Sequence, residues 1–138
     1  MRVVLIGASG LGMATVAKML EAGHEVVVVD KDKEIIEELD GKFDCSFYCG
    51  DGAKPSVLKE VDPGHTDLLL CLSDDDTANI LAAVVAKSLD FGHVVLRLED
   101  TDLLSICEQL GLENVIVPDQ RVARELLRYL DEGDKPPT

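Results

Sequence analysis

The sequence predicts an α/β fold, a Rossmann-like doubly wound sheet of six parallel strands ordered 3-2-1-4-5-6. Three observations predict it. Short apolar runs (VVLI, VVVV, LLLCL, VVL) recur along the chain, as strands covered on both faces require. Stretches with apolar residues at helical spacing separate them. The first run ends in a glycine turn, Gly7, Ala8, Ser9, Gly10, Leu11 and Gly12, and a second strand follows that finishes on an acid, Asp30.

Taken in order, Val3 to Ile6 is the first buried strand. Gly7 turns the chain sharply out of it, and Gly12, lacking a Cβ, lets the next helix pack close to the sheet. That helix runs from Met13 to Ala22, with Met13, Val16, Ala17 and Leu20 on one face and Gly23 as its stop. Glu25 to Val29 is strand two. Asp32 caps a helix through Leu39 whose Ile35, Ile36 and Leu39 face inward. Cys45 to Tyr48 is strand three, followed by Gly50-Asp51-Gly52. Pro55 opens a short helix that ends near Val61, and Asp62-Pro63-Gly64 turns the chain.

Asp67 to Leu72 is strand four. Ser73, with Asp76 at capping-box spacing, is expected to open a long helix whose first turn carries Asp74, Asp75 and Asp76. From Ile80 to Ala86 that helix is apolar nearly all round, which predicts burial on more than one side and a subunit contact. His93 to Leu98 is strand five, Thr101 to Leu110 a helix stopped by Gly111, and Asn114 to Val117 strand six. Pro118 starts a last helix with an apolar stripe (Val122, Ala123, Leu126, Leu127, Leu130) and Arg121, Arg124 and Arg128 on its other side.

Bulk properties narrow the function. The 138 residues suit one domain, residues 1–131, with a polar tail at 132–138. Hydrophobic residues make up 46%, yet no apolar run nears the ~20 residues of a membrane helix. Met1 leads directly into a strand and leaves no room for a signal peptide, so an intracellular soluble protein is expected. A net charge of −14 argues against nucleic acid or anionic lipid as direct partners. The four cysteines (Cys45, Cys49, Cys71, Cys107) lack C-x-x-C spacing, so buried reduced thiols are expected, and neither a metal site nor a disulfide framework.

In sheets of this kind ligands bind at the carboxyl ends of the strands. The glycine turn and the helix start after it suit a pyrophosphate, which free N–H groups and the positive helix end attract. Asp30, eighteen residues past Gly12, is placed to accept hydrogen bonds from a ribose diol. The pattern departs from G-x-G-x-x-G at Ser9, which either narrows the site or adds a hydroxyl donor. A βα turn that holds no ligand is the plainer alternative. At the same edge Asp51 either reaches an adenine amine or caps the following helix. Ser73 and Asp74 cap their helix, contact ligand, or do both. Arg97 either meets a phosphate or pairs with a neighbouring acid. His24, His65 and His93 each follow a glycine ahead of a strand, at the opposite edge, so no general base faces the ligand and catalysis is not expected.

Together GASGLG, VVVVDKD, GDGAKPSVL, LLLCLSDDDTANILAAVVAKSL, VVLRLED and LENVIVPDQRVARELL resemble the N-terminal Rossmann domain of Trk/Ktr potassium-uptake regulators, also called the RCK or TrkA-N domain. The resemblance spans residues 1 to 130. It implies a cytoplasmic regulatory module that binds NAD(H), or in some members ATP, ADP or AMP. Such modules assemble into dimers and rings beneath a potassium-translocating membrane protein at the inner face of the cell membrane. By resemblance Gly7, Ala8, Ser9, Gly10, Leu11 and Gly12 line the phosphates and Asp30 holds a ribose. Lys31 and Asp51 lie near the adenosine, Ser73 and Asp74 flank the far side, and Arg97 matches a basic position. Asp119 falls at a subunit contact, and the long helix and the last helix match dimerisation surfaces. Many members have a basic residue where this chain has Gly10, which disfavours tight triphosphate binding here. The second ligand-binding subdomain of the family is absent, so the sequence is a single-domain regulator or a fragment. The competing reading is the cofactor-binding domain of an NAD-dependent oxidoreductase without its substrate domain.

Overall fold

The computed structural model describes residues 1–131; the tail expected at 132–138 lies outside the described residues. Six parallel strands pair in the order 3-2-1-4-5-6, as the sequence predicts. They are β1 (Arg2–Ile6), β2 (Glu25–Asp30), β3 (Ser46–Cys49), β4 (Leu68–Cys71), β5 (Val94–Arg97) and β6 (Val115–Ile116). The helices are α1 (Gly10–Glu21), α2 (Lys33–Leu39), α3 (Pro55–Glu60), α4 (Asp76–Ser88), α5 (Leu104–Gln109) and α6 (Pro118–Asp131). Strand ends fall within a residue or two of the expected positions, where fraying and caps decide the boundary.

Alternation along the central strands builds two cores. Val3 and Leu5 of β1 join Val26 and Val28 of β2, Leu70 of β4, and Met13 and Val16 of α1 on one face. Val4, Ile6, Val27, Val29, Leu69 and Cys71 turn to the other, where Leu58 of α3 and Ala82, Ala83 and Ala86 of α4 cover them. Register is fixed accordingly, with Leu5 opposite Leu70 and Ile6 opposite Cys71. A one-residue slip would exchange the two sets of side chains between cores. Removing Leu5 to alanine at such a site costs roughly 2–5 kcal/mol. Burial also pushes the Cys71 thiol up to about 12, leaving it protonated and inert at neutral pH.

Several local expectations are corrected. The first helix begins at Gly10, three residues early, because Ser9 caps it: the Ser9 hydroxyl accepts the Gly12 N–H at 3.0 Å. The long helix begins at Asp76 and is capped by Asp75, whose carboxylate accepts the Ala78 N–H. Ser73 does not cap it. The Thr101-to-Leu110 segment divides into a 3₁₀ turn, Thr101–Leu103, capped by Asp100, and then α5. Cys49 is exposed and Cys45 half-buried, because β3 is an edge strand; only Cys71 and Cys107 are buried. Within one chain α4 buries a single side, and Leu81 on its outer side stays 51% exposed.

Candidate functional site

The carboxyl ends of β1, β2 and β4 border a cleft of about 330 Å³ at the point where the strand order reverses. This is where a doubly wound sheet opens, because the connections from neighbouring strands leave in opposite directions. Ile6 and Val29 form its apolar floor. Ala78 and Ala82, one turn apart on α4, form one wall, and Gly52 and Ala53 of the β3–α3 turn form another. The polar rim is Asp30, Lys31, Asp51, Ser73, Asp74 and Asp75. At this volume the cleft lies at the small end of ligand sites, which span ~300–1,000 Å³.

Six of the predicted residues come together here: Gly7, Asp30, Lys31, Asp51, Ser73 and Asp74. Gly7 adopts φ +102°, and a Cβ on it would stand 2.5 Å from the Ser73 nitrogen, so no other residue lets β1 and β4 part so closely. Asp30 does more than border the cleft. Its Oδ2 accepts the Ala8 N–H and its Oδ1 the Asp32 N–H, each at 2.8 Å, which ties the glycine turn to the end of β2. Asp51 accepts the Ala53 N–H at 2.9 Å and so shapes the turn ahead of α3, whose own cap position is Lys54.

Ala8, Ser9, Gly10, Leu11, Gly12 and Arg97 do not line this cleft. Ala8 spends its N–H on Asp30. Ser9 points into the structure, where its hydroxyl donates to the Leu72 carbonyl at 2.6 Å while capping α1. Its side chain joins the first helix to the end of β4. Gly10 and Leu11 are exposed in the first turn of α1. Gly12 is buried, and a Cβ there would meet the Gly7 carbonyl at 2.3 Å, the close helix–sheet approach that the sequence predicts.

Arg97 pairs with an acid. Its Nη1 donates to Asp74 at 2.8 Å, and its side chain is only 19% exposed. Its Nε is buried and has no hydrogen-bond partner among the described residues. Beside it lies Asn79, which sequence reasoning passed over. This residue, 1% exposed, accepts from the Ser73 N–H and hydroxyl and donates to the Ser73 and Arg97 carbonyls. All four of its hydrogen-bonding capacities are filled, so it fastens the β4–α4 turn to the end of β5. The missed wall residues Ala78 and Ala82 did carry a signal, small side chains four apart on one helix face. His24, His65 and His93 precede β2, β4 and β5 and lie at the opposite edge.

Comparison with known proteins adds the following. Residues 3–118 match the family model described as the TrkA-N domain. Over 130 residues the chain is 21% identical to a Trk system potassium uptake protein TrkA homolog of Methanothermobacter thermautotrophicus, covering 94% of this chain and 60% of that protein. The chain thus spans about three fifths of that relative's length. The fold is shared with the NAD(P)-binding domain of an exopolyphosphatase-related protein from Archaeoglobus fulgidus (TM-score 0.83, 23% identity, covering 94% of this chain and 97% of that one). It is shared also with the GsuK channel bound to NAD (TM-score 0.76, 14% identity, covering 83% and 21%). GsuK has been solved bound to ADP as well.

Proposed function

The chain belongs to the TrkA-N domain family, and from that premise we propose that it is an adenine-nucleotide-binding regulatory domain of a potassium transport system. NAD(H) is the leading ligand, with ATP, ADP or AMP as competitors for the same cleft. The carrying observation is the cleft itself. It sits at the switch point, its floor is apolar, its rim holds Asp30 at the end of β2, and its lining includes Gly7, from which the chain turns into α1. Ile6 and Val29 suit the face of a nucleoside, Asp30 a ribose diol, and the first turn of α1 a diphosphate. GsuK, of the same fold, supports the ligand class because it holds NAD or ADP.

The proposed action is on a potassium-translocating membrane protein, with the domain working as a self-associated regulator at the cytoplasmic face of the membrane. None of the described helices is long and apolar enough to cross a bilayer. A ligand that prefers one arrangement of the assembly shifts it by its difference in affinity, and ~1–3 kcal/mol of coupling suffices. We assign the domain no catalytic step, since its histidines stand at the far edge of the sheet.

Titration calorimetry with NAD⁺ and NADH, joined to amide exchange, tests this reading. The expected result is saturable binding that protects Gly7, Gly52 and Ser73. Asp30→Asn should weaken binding about tenfold, the worth of a hydrogen bond to a charged group. Its urea midpoint should fall only modestly, by the loss of one turn hydrogen bond. Absence of binding by every adenine nucleotide would defeat the proposal.

A further inference from the structure

The cleft combines a nucleotide-sized hollow with an unusual balance of charge. Four carboxylates line it, those of Asp30, Asp51, Asp74 and Asp75, against one lysine, Lys31. Arg97 cancels one of the four, because its guanidinium is paired with Asp74 at 2.8 Å, and the carboxylates of Asp30, Asp51 and Asp75 remain against the one lysine. Gly10, at the start of α1, has no side chain and stands in open space. The positive end of α1 offsets roughly half a unit charge, and its influence fades within the first turn. One diphosphate is therefore accommodated, and every further anionic charge meets uncompensated carboxylates.

We propose that this cleft selects its ligand by charge, taking adenine nucleotides of low anionic charge and turning away those that carry more. NAD⁺ is favoured over NADH, and AMP over ADP and then ATP, whose phosphate chain carries about four negative charges. The ordering rests on the reading that the cleft binds adenine nucleotides at all. It follows from Coulomb repulsion over the width of the cleft, in which each added charge costs about a tenfold loss of affinity at low salt. Reducing the nicotinamide ring removes a positive charge, so NADH meets the same cleft carboxylates with one more net negative charge than NAD⁺. An oxidised-cofactor sensor is the consequence.

The test is calorimetric titration with NAD⁺, NADH, AMP, ADP and ATP, free of magnesium, at low and at high salt. ATP, with about two more charges than AMP, should bind about a hundredfold more weakly than AMP at low salt, and NADH, with one more than NAD⁺, about tenfold more weakly than NAD⁺. Both gaps should narrow in salt, because screening weakens charge selection and leaves shape selection untouched. Two variants carry the point further. Asp75→Asn removes a charge yet keeps an α4 cap, since asparagine caps as well as aspartate. Asp74→Asn releases Arg97 as well as removing a charge. Each should raise ATP affinity several-fold while changing AMP less. If ATP binds as tightly as AMP, or the variants leave the ratio unchanged, charge selection is wrong and the nucleotide reading stands. If no nucleotide binds, both fall.

Discussion

Two glycines of one motif illustrate what single residues contribute. Gly12 is legible from spacing alone: it stands where a helix must approach a strand, and the 2.3 Å gap between its absent Cβ and the Gly7 carbonyl bears that out. Gly10 looks equivalent in the sequence and is not, because a Cβ there meets nothing within 4 Å. Alanine at the two positions should act in opposite directions. Gly12→Ala must push backbone against backbone and should destabilise by about 2–3 kcal/mol, in the range of overpacked cores. Gly10→Ala should be neutral or stabilise by up to ~1 kcal/mol, through lower entropy of the unfolded chain and better helix propensity. Urea denaturation of both variants measures this; equal losses would mean the glycine turn is built differently. Ser9 was harder to read. Its partner, the Leu72 carbonyl, lies sixty-three residues along the chain, and only pairing of β1 with β4 brings the two together.

Among the elements, the start of α4 shows where sequence reasoning stops. Ser73, Asp74, Asp75 and Asp76 all qualify as helix caps by residue type. Tertiary neighbours assign each a separate task. Asn79 takes Ser73, Arg97 takes Asp74, Asp75 alone caps, and Asp76 accepts the Glu99 and Asp100 N–H groups at 2.9 and 2.8 Å. A local rule cannot foresee this, because the partners of Asp74 and Asp76 arrive from β5 and the turn after it. The existence of the helix was nonetheless plain, since its apolar run and its acidic first turn point the same way. Asn79 is the residue on which this arrangement depends. Asn79→Ala leaves the Ser73 N–H and the Arg97 carbonyl without the partner they have now, in a place water reaches poorly. The expected cost is about 1–3 kcal/mol in chemical denaturation, together with weaker nucleotide binding, because Ser73 and Asp74 lose their anchor at the cleft. Asn79→Asp should be no more stable than the alanine variant, because a buried carboxylate oxygen would face the Ser73 and Arg97 carbonyls to which the amide now donates. A variant as stable as the parent would show that the turn holds without its asparagine.

At the scale of the whole molecule, strand order and the place of the cleft were legible, because parallel pairing and right-handed crossovers leave few arrangements open. What covers the outer surfaces was legible only as surplus apolar area. The last helix, α6, is the plainest instance. Its Leu126 is 57% and its Leu130 83% exposed, and Val122 and Leu127 are exposed beside them. None of its described residues is buried. A fourteen-residue helix gains little stability by itself in water, since isolated helices of this length are marginal. Its stripe therefore needs a cover, and the self-association proposed above supplies one from a second copy. Dilution should then dissociate the assembly and lower helical content in step, read by sedimentation velocity and far-UV circular dichroism over the same concentrations. Placing charges on the stripe in Leu126→Glu/Leu130→Glu should leave a monomer at all concentrations, with the sheet domain still folded and nucleotide still bound in the cleft. Arg124→Ala, on the opposite side of α6, serves as control and should associate as the parent does. A parent chain that sediments as a monomer at high concentration with α6 fully helical would mean that the stripe awaits a different protein.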